Sequence, residues 1–220
     1  MITLGKPQKF SISFVIFSIA LFPFLWSSCS SKFEGTNYNR IKVIKTTRDS
    51  LFYLKDQLFS GAVNHYDLHG SQVRFFEVQE GKLNGEYRVF DAKGWLMLLA
   101  TYHDGVLHGS WLAYKGDQLI ERLNYSYNLM HGKRELFWEN GLLKEENYFD
   151  HGVLTGRSNY FFSNGKLRKT FAFDAIGNRD DDWMDYHPNG KIKQKISYQS
   201  GKIIDSLVRY NKDGQILIDQ

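Results

Sequence analysis

His69, His108 and His131 each stand immediately before a glycine, and imidazole is the side chain best suited to hold a transition metal near neutral pH. A shared ion would need its donor nitrogens within about 4 Å of one another. These three fall in related turns of successive units, roughly 10 Å apart per unit in a sheet, so they are read as polar residues on a solvated edge. The densest carboxylate group is Asp180-Asp181-Asp182 with Asp185. A calcium loop alternates its ligands with spacers and bends at a glycine; this run does neither and is read as an irregular, solvated loop. No Gly-x-Ser-x-Gly nucleophile motif occurs in the sequence, and its one thiol, Cys29, lies in an N-terminal segment. No catalytic residue, metal or cofactor is therefore expected, and the expected function is not enzymatic.

The remaining chemistry is aromatic. The chain holds 17 Phe, 13 Tyr and 5 Trp but only 3 Pro in 220 residues, which favours β structure. A glycine followed five residues later by an aromatic recurs at a period of about 24 residues. The glycines are Gly61, Gly85, Gly109, Gly132 and Gly156, with Asp181 and Asp205 in the same place later; the rings at +5 are Tyr66, Phe90, Tyr114, Phe137, Phe161, Tyr186 and Tyr210. These seven rings are read as structural. At +2, Tyr87, Trp111 and Trp183 are possible ligand-face aromatics, lying with the +5 stripe or across the sheet from it.

Each unit reads as a hairpin. Asn140-Gly141, Asn164-Gly165, Asn189-Gly190 and Asp213-Gly214 follow their anchors by a constant interval and are dipeptides that accept the positive φ angles of tight turns. A second turn, as in His103-Asp104-Gly105 and Asp150-His151-Gly152, joins one unit to the next. The glycines are expected to leave room for rings of neighbouring units to lie against the backbone. The sixth unit is irregular, with Gly177-Asn178-Arg179-Asp180-Asp181-Asp182 in place of Gly-x-Leu-x-Gly. The fold expected is all-β: an elongated, single-layer antiparallel meander of about seven stacked hairpins, roughly 65–70 Å long at the usual strand spacing.

The N-terminus has a different character. Lys6 and Lys9 precede an apolar run from Phe10 to Trp26, followed by Ser27, Ser28 and Cys29, the layout of a secretory signal. Leu25-Trp26-Ser27-Ser28-Cys29 resembles a bacterial lipobox, with Leu25 one place further from the cysteine than usual and Trp26 in the aliphatic position. The resemblance implies lipidation at Cys29 and a membrane anchor in the cell envelope, at the outer rather than the inner membrane. The divisions expected are a signal peptide over 1–28, a lipidated tether over 29–50 in which Ile41 to Ile44 caps the first repeat, and seven repeats over 51–220. Cleavage removes Lys6 and Lys9 from a formal charge of +4, leaving about +2 without a long basic run, so nucleic acid is not an expected partner.

Gly81-Lys82-Leu83-Asn84-Gly85-Glu86-Tyr87, Gly105-Val106-Leu107-His108-Gly109-Ser110-Trp111 and Gly152-Val153-Leu154-Thr155-Gly156 resemble MORN repeats. With Tyr160 to Phe162, Asn164-Gly165-Lys166-Leu167 and Phe173, they are similar to the bacterial MORN-variant form found also in YwqK-like antitoxins. The resemblance runs from Leu51 to Gln220. It implies a monomeric scaffold of stacked hairpins that associates with a protein partner or a membrane. The antitoxin label would imply a toxin partner, which for an exported protein must act in the envelope.

Overall fold

The computed structural model describes residues 35–45 and 50–217; the apolar N-terminal run expected to direct export and Cys29 lie outside the described residues. β1 (Thr36–Asn37) and a 3₁₀ turn (Tyr38–Arg40) lead into β2 (Lys42–Lys45), β3 (Ser50–Leu54) and β4 (Gln57–Leu58), which form a small antiparallel sheet. One long meander follows. Its seven hairpins are β5 (Gly61–Tyr66) with β6 (Gln72–Gln79), β7 (Lys82–Phe90) with β8 (Leu96–His103), and β9 (Val106–Lys115) with β10 (Gln118–Ser126). After the two-residue β11 (Leu129–Met130) come β12 (Gly132–Phe137) with β13 (Leu143–Asp150), β14 (Val153–Phe161) with β15 (Leu167–Phe173), and β16 (Arg179–Tyr186) with β17 (Ile192–Gln199). β18 (Lys202–Ile203) precedes the last pair, β19 (Val208–Tyr210) and β20 (Ile216–Leu217). The expected antiparallel meander of seven hairpins is thus the observed fold.

Two turn chemistries alternate along it. Within a unit, the amide of Gly141 donates to Trp138 O and that of Trp138 to Leu142 O, and the same pair of bonds recurs at Gly94, Gly165, Gly190 and Gly214. This is a type I turn closed by a left-handed glycine. Only the glycine takes a positive φ, 78° at Gly141. The preceding Asn works differently from the expectation, through its side chain: Asn140 Oδ1 accepts from Leu142 N, and Asn164 and Asn189 do the same two residues on. The two-residue turns with positive φ at both central residues are the ones between units, at Glu80-Gly81, Asp104-Gly105, Tyr127-Asn128, His151-Gly152 and Ser200-Gly201.

The anchor glycines also differ from expectation. At Gly85 (φ 107°) an added Cβ would meet the Glu77 carboxylate, and at Gly109 (φ 97°) the Thr101 hydroxyl; a ring, Phe59, fills the space only at Gly61. Gly132 and Gly156 face open space. Gly85, Gly109 and Gly156 serve the ladder more than the rings, because pairing slips by two residues opposite them, between Phe76 and Val78, Ala100 and Tyr102, and Glu146 and Tyr148. Asp181, in the glycine's place, keeps the left-handed backbone (φ 56°), a conformation aspartate tolerates better than most residues.

The core sits at the N-terminal end. Ile41, Phe52 and Phe59 come from the small sheet and its flanks, and pack on Val63, Phe76 and Val78 of the meander, with Tyr38, Val43 and Tyr87 against them. Ile41 to Ile44 therefore does not cap by edge pairing. β2 pairs with β3, and the sheet they form lies on the face of the meander, held by Phe52 N to Gly81 O and Gly81 N to Phe59 O. The edge of β5 is instead paired in parallel by β1. Beyond this cap, among the described residues, the sheet is one layer thick.

Candidate binding surface

The pleat separates the two aromatic rows. Residues three apart on a strand face opposite ways, so the +2 and +5 positions lie across the sheet from each other. On the +2 face, Tyr87 packs between Phe76 and Tyr102 at 5.9 and 5.7 Å. Trp183 lies within 4.5–5.4 Å of Phe171, Phe173 and Tyr198, donates from Nε1 to Ala172 O, and carries the Arg179 guanidinium over its ring at 4.7 Å. Trp111, half-buried, stands beside Ala100 and Leu123 in the cross-strand row. The row is interrupted where units four and five place Arg134 and Ser158 at the same offset.

On the other face, Phe90, Tyr114, Phe137, Phe161, Tyr186 and Tyr210 are half-buried and Tyr66 is exposed. Phe137 sits under the Arg122 guanidinium at 5.9 Å, and the Tyr186 hydroxyl donates to Met184 Sδ at 3.6 Å. Phe90 and Phe137 line shallow hollows between consecutive hairpin turns. Ring-on-ring packing therefore runs through the +2 position.

At the interruption a charged ladder runs along each face of the sheet. On the +2 face, Arg134 pairs with Glu121 at 2.6 Å and Glu145 at 3.2 Å, and Asn147 donates to Glu145. On the +5 face, Glu135 meets Arg122 at 2.6 Å and Lys133 at 3.0 Å; Lys133 reaches Glu146, which accepts from Asn159, which accepts from Thr170. Burial would raise the Glu135 pKa, but Lys133 and Arg122 outweigh it and hold it below the usual carboxylate range. The hydrogen bonds that Lys133 donates to Glu146 and Glu135 push its pKa well above its ordinary value. The charge alternation over Lys133-Arg134-Glu135 and Lys144-Glu145-Glu146 was the available sequence signal for these ladders.

The carboxylates of the sixth unit are not in a loop. They lie on β16 and are paired: Asp181 with Arg157, Asp182 with Lys195 and Ser197, Asp180 with the Ser200 amide, and Asp185 with Gln194. Of the histidines before glycines, His69 is exposed and 4.0 Å from Asp67, while His108 stacks edge-on with Tyr127. The three do not meet. His131 instead meets Asp150 and His151 of the following junction, donor atoms within 4.8 Å.

The row of junction turns also exposes apolar side chains. Tyr127, Leu129, Val153, Ile176, Ile203 and Ile204 range from 40% to 77% exposed. Leu129 rests against Gly152 and Val153 against Gly177, each leaning on the turn glycine of the next unit, and the exposed residues follow one another along the row of turns as a ridge.

Three segments match the MORN repeat variant. They are residues 83–104, 130–151 and 182–200, and they coincide with the hairpins β7–β8, β12–β13 and β16–β17, so that one MORN-variant unit is one hairpin with its junction turn. No curated protein matches the chain. Among solved structures, TarM is 22% identical over 43% of this chain and 18% of its own, with a TM-score of 0.29. A point mutant of S. aureus TarM in complex with fondaparinux, alpha-GlcNAc-glycerol and UDP is 12% identical over 64% of this chain and 21% of its own, at a TM-score of 0.23. The chain spans about a fifth of the length of these proteins. Likeness at such TM-scores specifies neither fold nor activity.

Proposed function

We propose that this chain is a non-catalytic envelope lipoprotein, anchored through Cys29, whose MORN-variant sheet binds a protein partner. The observation that carries the binding reading is the ridge from Tyr127 to Ile204, where apolar side chains stand exposed at the last four junctions of the array. Leaving such a row in water is unfavourable, and exposed apolar rows on soluble surfaces mark contact sites. Successive junctions are about 10 Å apart, a spacing suited to an extended partner surface with apolar side chains at the same interval.

The test is co-purification from the protein's own envelope. Ile176→Asp with Ile203→Asp should lose a partner that the intact chain retains, with unchanged secondary structure; retention of every partner would overturn the ridge as the contact surface. Identification of that partner as a toxin-like protein would make the chain an antitoxin. For the anchor, Cys29→Ser should move the protein from the membrane pellet to the soluble fraction, since one lipidated terminus is the proposed attachment. A variant that stays wholly in the pellet would remove lipidation from the proposal.

A further inference from the structure

We propose that His131, Asp150 and His151 form a binding site for one divalent transition-metal ion of the zinc type. The register makes the site. Gly132 pairs with Phe149 across β12 and β13, which sets His131 opposite Asp150. His151 follows as the first central residue of the turn into β14, with φ 47°, and the next amide, Gly152 N, donates to Met130 O at 2.8 Å. That bond ties the turn to the residue before His131, so the three side chains are held together by backbone alone. His131 Nδ1 and His151 Nδ1 lie 3.3 and 2.6 Å from Asp150 Oδ1, and the imidazole centroids are 4.7 Å apart.

Two imidazole nitrogens and a carboxylate oxygen are the donor set that zinc, nickel and copper prefer over calcium or magnesium. Tetrahedral zinc with bonds of about 2.0–2.2 Å needs donors about 3.3–3.5 Å apart. The His131 to Asp150 distance already meets this, and the His151 ring needs a small outward rotation, for which it has room at 60% side-chain exposure. Three protein ligands leave a fourth position open to water. The other junctions lack the set: the residue before the anchor and the facing turn offer Asn84 with His103-Asp104, and His108 with Tyr127-Asn128. Among the described residues this is the one group of its kind. The inference does not rest on the partner-binding reading.

The experiment is isothermal titration of the full chain with zinc chloride, in a Cys29→Ser background so that the thiol does not compete. One equivalent should bind. His131→Gln and His151→Asn should each weaken the affinity at least tenfold, while His69→Gln leaves it unchanged. His151→Asn is chosen because asparagine accepts the left-handed turn position, so its loss of zinc is not a loss of fold; circular dichroism and melting without zinc should match the parent. Absence of binding by the parent, or full affinity in both the His131→Gln and His151→Asn proteins, would overturn the site.

Discussion

At the residue scale, backbone sign and burial decide what each conspicuous residue is for. Gly85 and Gly156 occupy the same place in their units, yet their requirements differ. Gly85 has φ 107° with the Glu77 carboxylate against it; Gly156 has φ 64° and open space. The first angle is outside the left-handed helical well, the second inside it. Gly85→Ala should therefore cost about 2–3 kcal/mol, and Gly156→Ala about 1 kcal/mol, by denaturant unfolding; equal costs would show that the glycine is not selected for its angle. The rings separate in the same way. Phe76 is 3% exposed between Tyr38, Phe52 and Tyr87, so Phe76→Ala should cost about 3–5 kcal/mol. Phe137, half-buried under Arg122, should cost about half of that on truncation. The period showed that both the +2 and +5 positions matter. It could not show that ring packing goes through +2, because that depends on which face the small sheet covers and which neighbours cross the strands.

At the scale of the hairpin, local rules were legible and cross-strand ones were not. Glycine positions and Asn-Gly dipeptides marked the turns except at Tyr127-Asn128, since φ preference is a property of one or two residues. Even the departure at Asp181 kept the backbone that glycine adopts elsewhere. The meeting of His131 with His151, twenty positions apart, required the pairing of Gly132 with Phe149, which no local signal specifies. Charge alternation signalled the ladder through Glu135, but which partners it pairs was hidden for the same reason, and this pairing contributes to the pH dependence expected of the middle hairpins. The folded Glu135 pKa is below its ordinary 4.5, so its pairing stabilises above that value and is lost as pH falls through the folded pKa. Asp182, lowered by Lys195 and Ser197, adds to the same acid limb. Lys133 is raised above 10.5; its contribution is complete below that value and is lost only as pH rises through the folded pKa. Glu135→Gln should destabilise by about 1–2 kcal/mol at pH 7 and make the fall in stability between pH 5 and 3 shallower than in the parent. An unchanged acid limb would mean that Glu135 is not among the groups that produce it.

At the scale of the whole molecule, stability is distributed unevenly along the array. Among the described residues, the cluster of buried apolar side chains joins the small sheet to β5, β6 and β7, while β19 is held to β17 by two residue pairs and β20 is exposed. A repeat array transmits stability through nearest-neighbour interfaces, so units far from the cap depend on the interfaces between them, here the Trp183 group and the two charged ladders. Amide hydrogen exchange should accordingly show the greatest protection in β5 to β7 and the least in β19 and β20, with local opening of the last hairpin well below the free energy of global unfolding. Tyr210→Ala should raise exchange only in β17, β19 and β20. Phe76→Ala should lower protection across β5 to β8 and leave β16 and β17 nearly as protected as before, because several intact interfaces lie between. If instead Phe76→Ala lowers protection by the same amount in every strand, the seven hairpins open as a single cooperative unit, and the nearest-neighbour account of this sheet fails.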